Sequence, residues 1–376
     1  MLKNKKQLLP ICFKQSLITK VKETTIKNMS VKVESFGFMP DGREVKLITL
    51  YGIDGISTSI TNYGAKLVSL FVPDKYGKLN DIVLGYSSLD GYLKGHRYFG
   101  SNPGRVSGRI SNSSFTLNGK TYLLPKNENG NHLHGGIKGF DSVLWDYKIN
   151  GEIVSFTYLS PDGEEAYPGN LKTQIDFQWI EGNELLITYH AETDQETPVC
   201  ITHHSYFNLT AEDFGKIGHH IIQLNAGNYL ETNEELLPTG VILPVDGKAL
   251  DLRKPVEIKK GLESTDQCIT SVGGFDHCYV LDNKSEEMKQ AAVVEDPVSG
   301  RKMEVFTTYP CIVFYSGNWC NGLVPGKSGK IAGDKSAFCL EPQLFTDAVT
   351  IKEFPSIILS PDQKYLHKIS YKFSTI

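Results

Sequence analysis

Past residue 44 the chain is a succession of short β-rich runs, each cut off by glycine, proline or a turn pair before a helical face can develop. Val45–Gly52, Ser57–Gly64, Lys66–Pro73, Ile82–Gly85, Ser114–Leu124, Val154–Tyr158 and Leu185–Tyr189 all have this form. Side chains that alternate along such runs present one face to a core and the other away from it. Asn118-Gly119 between two β-rich stretches predicts a hairpin, and Glu181-Gly182-Asn183 predicts another turn. Apolar spacing of helical period is scarce; 87–93 and 284–290 read as short helices at most. The pattern restricts the chain to an all-β architecture, a large sandwich or barrel in which the ends of several strands can converge on a cleft.

With 376 residues, 40% of them hydrophobic, the chain can bury a large core. A net charge of -4 and a pI near 6.2 argue against nucleic acid or an anionic membrane as the main partner. No apolar run approaches the ~20 residues that a bilayer requires. Seven cysteines without regular spacing fit neither a disulfide framework nor a zinc site, and point to reduced thiols in the cytoplasm. Residues 1–28 differ in character: Lys3, Lys5, Lys6, Lys14, Lys20, Lys22 and Lys27 stand against one acid, Glu23. They read as a disordered basic extension, with Met29 a second possible start and residues 29–376 a single domain.

The polar signals are scattered along the chain. Thr202-His203-His204-Ser205-Tyr206-Phe207-Asn208 sets two histidines side by side in a run that reads as strand, so one faces a cavity and the other packing or solvent. A histidine there can give or take a proton near neutral pH, or be structural. Gly104-Arg-Val-Ser-Gly-Arg-Ile carries Arg105 and Arg109, whose forks suit an oxygen-rich ligand or a surface ion pair; the phosphate-loop spacing is absent. Asn131-His-Leu-His-Gly-Gly offers His132 and His134. Two ligands on one loop are too few for a metal, so His134 reads as a hydrogen-bonding group, with the glycines bringing backbone close to a ligand. The acids of Ser160-Pro-Asp-Gly-Glu-Glu read as solvated or structural. Asp276, in Gly274-Phe-Asp-His, is a turn cap or a site carboxylate. Glu341 ends an apolar run that Pro342 stops; desolvation there would raise its pKa and make it a better base, whereas a solvated strand end would not. Together they supply one histidine and two carboxylates with Arg and His helpers, a set suited to a polyhydroxylated ligand.

These runs, together with Asp251-Leu-Arg-Lys-Pro, Phe314-Tyr-Ser-Gly-Asn and Cys339-Leu-Glu-Pro-Gln, resemble the aldose 1-epimerase family in its own order from about residue 40 to the C-terminus. The resemblance implies a large antiparallel β-sandwich of the galactose mutarotase type with an open sugar cleft. It makes Glu341 the general base at the C1 hydroxyl and His204 the general acid at the ring oxygen. Arg109, His134 and Asp276 become sugar contacts. It implies no metal or organic cofactor, a free monosaccharide as the only partner, and a monomer. The chain departs from the family at three places: Gly108 stands where Asn is usual, Val313 where Gln is common, and His203 where Asn is usual. Hydroxyl recognition is then expected to be thinner, with a high KM for galactose. Other readings of the same residues are a glycosidase using Asp276 and Glu341, a hexose-6-phosphate 1-epimerase using Arg105 and Arg109, and a carbohydrate-binding protein without catalysis.

Overall fold

The computed structural model describes residues 30–96, 98–211, 215–282, 287–320 and 323–376. The extension expected over 1–28 lies outside the described residues. The rest is strand upon strand, as the turn-bounded runs predict. A five-stranded sheet is made by Val31–Phe38, Glu44–Tyr51, Ser57–Thr61, Lys66–Pro73 and Leu79–Asp81. A nine-stranded sheet runs from Asp146–Asn150 through Leu171–Ile180, Glu184–Thr193 and the C-terminal Tyr365–Thr375 to Val256–Glu257. A second five-stranded sheet is ordered Pro238–Pro244, Asn228–Thr232, Asp276–Val280, Cys311–Tyr315, Cys339–Gln343. Their ladders are antiparallel, so the all-β sandwich expectation holds.

The turns form where local chemistry dictates them. Asn118 and Gly119 both take positive φ and join Ser114–Leu117 to Lys120–Leu123 as a tight hairpin. Glu181 and Gly182 do the same between the two ten-residue strands Leu171–Ile180 and Glu184–Thr193. In those strands every second residue is buried: Ile175, Phe177, Leu185 and Ile187 are wholly enclosed in one apolar cluster. Each such side chain contributes about 1.5–3 kcal/mol by leaving water. Ile312, Phe314 and Leu340 of the second five-stranded sheet enter the same cluster, which frees the alternate residues of their strands for the opposite face.

Three expectations need correction. Ile82–Gly85 is not a strand; the strand ends at Asp81, and Val83 makes only an isolated bridge to Phe207 because this segment threads against the His204 loop. Within 284–290, residues 284–286 are outside the described residues, and Lys289 opens a strand, Lys289–Glu295, rather than a helix. Pro342 does not stop its strand: Cys339–Gln343 lies at the edge of its sheet, where a proline costs no ladder bond. The 87–93 expectation is realised as the helix Leu89–Lys94, capped by Ser88. Among the described residues no helix is long and apolar enough to cross a membrane. Cys200, Cys268, Cys278, Cys311, Cys320 and Cys339 are free thiols.

Candidate active site

The second five-stranded sheet builds the floor of a cleft of about 200 Å³. Cys278 pairs with Val313, and Val313 with Glu341, so the three side chains stand in one row on the face away from the core. The adjacent row holds Asp276, Tyr315 and Cys339. Asp276 and Glu341 therefore share the floor because each is an odd number of residues from a core-facing residue of its own strand, Asp276 three from Tyr279 and Glu341 one from Leu340.

His204 comes from a different element. The stretch 201–209, expected as a strand, is extended but belongs to no sheet; only isolated bridges tie it in, Ser101 to His204 and Phe207 to both Val83 and Phe338. The alternation that separates the two histidines nonetheless holds. His203 points into the core, where its ring nitrogens bond Asn102 Oδ1 at 3.1 Å and Ser205 Oγ at 2.7 Å. Burial pushes its pKa down to about 3, so it stays neutral. His204 turns into the cleft, and its Nε2 lies 3.4 Å from a Glu341 carboxylate oxygen. Both residues are about 95% buried, with 5% and 4% exposure.

Burial dominates the electrostatics of that pair. It holds the His204 pKa well below its ordinary value, with His134, His96 and His203 adding to the effect. It raises Glu341 well above the ordinary carboxylate range, with Asp276 and Cys278 adding to that. The uncharged arrangement is thus favoured, with one proton held between the two groups. His204 Nδ1 has no hydrogen-bond partner among the described residues, and Nε2 is the nitrogen turned toward Glu341. The ring is oriented by stacking on Tyr206, centroids 4.9 Å apart, and lies nearly parallel to Tyr98 at 6.1 Å.

Around the pair, the other expected residues converge. Arg109 donates twice to the Glu128 carboxylate, at 2.7 Å each. Burial opposes its charge, but Glu128 and the nearby Asp276 more than offset that and raise its pKa. Asp276 is raised by burial, with Arg109 pulling the other way. His134 lines the cleft and accepts a hydrogen bond from the Gly108 N–H at 3.1 Å. Gly108 and Val313 line it too.

Arg105 is not brought to the site. It is buried in the core side of the loop and donates to Ser160, Pro161, Pro168 and Thr197. His132 also turns away, bonding the Pro125 carbonyl and Tyr167 hydroxyl through its two nitrogens, so the His-x-His pair does not converge. The glycines after His134 serve a packing role rather than a ligand: a side chain on Gly135 would overlap the Gly104 carbonyl. Glu164 and Glu165 are structural, held by Tyr158, Ser160 and the backbone at 137–138. One group of potential metal donors occurs at the site: His204, Cys339 and Glu341 place ligand atoms within 4.8 Å of one another. Burial raises the Cys339 thiol well above its ordinary value and keeps it in the protonated form that ligates poorly.

The sequence reading missed Glu128, His96, Tyr98, Tyr206, Tyr315 and Trp319, all of which line the cleft. Tyr206 was accessible to it, being two residues beyond His204 and so on the same face. Glu128 carried no local signal, because only the fold brings its loop to Arg109.

The aldose 1-epimerase family model matches residues 46–372. The galactose mutarotase of Rattus norvegicus is 43% identical over 346 residues, 92% of this chain and 99% of that protein. That of Homo sapiens is 41% identical over 345 residues, with the same shares of each chain. The solved structure of an aldose epimerase homologue from C. elegans superposes with a TM-score of 0.81 at 27% identity, covering 88% of this chain and 99% of that one. Sequence, fold and cleft thus agree, and the chain belongs to the aldose 1-epimerase family.

Proposed function

We propose that His204 and Glu341 interconvert the α and β anomers of free hexoses such as galactose and glucose by opening and reclosing the sugar ring. The observation that carries the reading is the 3.4 Å separation of the two groups inside one enclosed cleft, with a single proton favoured between them. Substrate entering between them converts that shared proton into a relay. Glu341 as carboxylate takes the proton from the C1 hydroxyl, the C1–O5 bond breaks as the C1 carbonyl forms, and O5 receives a proton from His204 Nε2. The pair then stands in its uncharged arrangement, the one that burial favours. Rotation about C1–C2 presents the other carbonyl face, and reclosure with the roles exchanged restores the charged pair. Neither group must lose or gain a proton to solvent in the cycle, and each supplies about 10²–10⁴-fold.

Arg109, fixed by Glu128, together with His134 and Asp276, hydrogen-bonds the sugar hydroxyls in this reading. All of these groups come from one chain, which supports action as a monomer, and the free thiols support a cytoplasmic setting. A phosphorylated sugar finds less support. Among the described lining residues Arg109 is the one arginine, and it already faces two carboxylates.

Polarimetry on freshly dissolved α-galactose and α-glucose tests the assignment. Glu341→Gln is expected to lose at least ~10²-fold in kcat while sugar still binds, because the amide cannot accept the C1 proton. A folded Gln variant with near-normal turnover would refute it.

A further inference from the structure

A third imidazole stands at the cleft beside His134 and His204. His96 follows the Leu89–Lys94 helix, and its ring is clamped from several sides. It stacks on Phe99 with centroids 4.6 Å apart and meets Tyr206 edge-on at 5.3 Å. Its backbone N–H is held by the Tyr86 hydroxyl at 2.6 Å. Its Nδ1 accepts from the Tyr98 N–H at 3.3 Å. Burial, helped by the charge of Lys66, lowers its pKa to about 4, so the ring is neutral at physiological pH. A neutral imidazole whose Nδ1 accepts carries its proton on Nε2. That Nε2–H makes no hydrogen bond to any described residue, while the ring lines the cleft. A rigidly held donor without a partner among the described residues, facing a cleft, calls for an acceptor on the ligand.

Its position selects which one. His96 lies within electrostatic reach of His204, whereas Asp276 and Cys278 are the groups felt by Glu341. With O5 at His204 and O1 at Glu341, the sugar atoms on the far side of O5 from C1 are C5 and its exocyclic carbon. We propose that His96 donates from Nε2 to the C6 hydroxyl of the bound hexose and so sets a preference for hexoses over sugars lacking that hydroxyl. The assignment rests on the placing of His204 at the ring oxygen.

The test compares D-galactose with D-fucose, its 6-deoxy counterpart, in the parent, in His96→Phe and in His96→Gln. Phenylalanine keeps the stacking but removes the donor; the glutamine amide can still donate. The parent is expected to favour galactose in kcat/KM, and His96→Phe to lower the galactose-to-fucose ratio by about tenfold, the worth of one hydrogen bond to a neutral group. The loss should fall on KM, and His96→Gln should recover part of the ratio. Calorimetric affinities for the two sugars should show the same loss of preference. A ratio unchanged in His96→Phe, or a parent without preference in turnover or binding, overturns the proposal. A parent that binds galactose over fucose but exchanges no anomers overturns instead the catalytic reading on which the placing of O5 depends.

Discussion

At the scale of single residues, the His204–Glu341 pair has a pH signature. In the proposed relay, activity requires that the pair hold one proton. A second proton on His204 blocks it in acid, and loss of the proton from Glu341 blocks it in alkali. Burial moves the first titration down and the second up, so the one-proton state widens in both directions. The kcat/KM profile is therefore expected to be a flat-topped bell, its acid limb well below ~6.5, the ordinary histidine value. An acid limb at that value would show that the free cleft is wet. The departures at Gly108 and Val313 give a second residue-level expectation, since both positions open on the cleft. Gly108 has φ +75°, a conformation that asparagine tolerates, and a side chain there would meet Thr346 at 3.1 Å, which a rotamer shift can relieve. Two restored hydrogen bonds at about 0.5–1.5 kcal/mol each should lower KM for galactose by up to roughly a hundredfold in Gly108→Asn, Val313→Gln, with kcat little changed. A parent that already saturates at low galactose, and does not improve in the double variant, would sink the idea.

At the scale of elements, the loop 131–136 is fitted to its neighbour by glycine. Gly135 has φ +84°, and any Cβ would collide with the Gly104 carbonyl in the segment that leads to Arg109. Gly119 has a similar φ of +76° but nothing within 4 Å of a Cβ. Gly135→Ala is thus expected to cost at least ~3 kcal/mol in urea unfolding, from the collision added to left-handed strain, against about 1 kcal/mol for Gly119→Ala. Equal costs would mean that the loop can move away from Gly104. Such movement would carry His134 with it, so the two variants also report how firmly the cleft wall is held.

At the scale of the whole molecule, buried neutral histidines set the response to acid. Burial lowers His203 to about 3, and His220, His277 and His367 to about 4 each. Between those values and ~6.5 the unfolded chain binds more protons than the folded one. Stability therefore rises with pH across that window, is fully present above ~6.5 and is lost as pH falls toward the folded values. Each such residue contributes a slope of up to about 1.4 kcal/mol per pH unit. Glu341 and Asp276, raised by burial, act in the opposite sense, costing stability as the pH rises above their ordinary range. The histidines outnumber them, so urea midpoints should fall steeply from pH 6.5 to 4.5. A flat midpoint over that range would mean that these rings are hydrated.

Period-two alternation and turn chemistry are local, and so the β-class, the Asn118-Gly119 hairpin and the opposite facing of His203 and His204 were legible in the sequence alone. The convergence of Arg109, His134, His204, Asp276 and Glu341 was legible only through a resemblance, because these residues lie on five separated segments. What the tertiary structure alone decided was which polar groups of each run reach the cleft. Arg105 and Arg109 share one glycine-rich segment, yet one is buried among carbonyls and the other lines the site. Pro342 looked like a strand stop because its own sequence cannot say that its strand is an edge. Burial and partners depend on elements far away in the chain, and it is burial that sets the protonation of the His204–Glu341 pair.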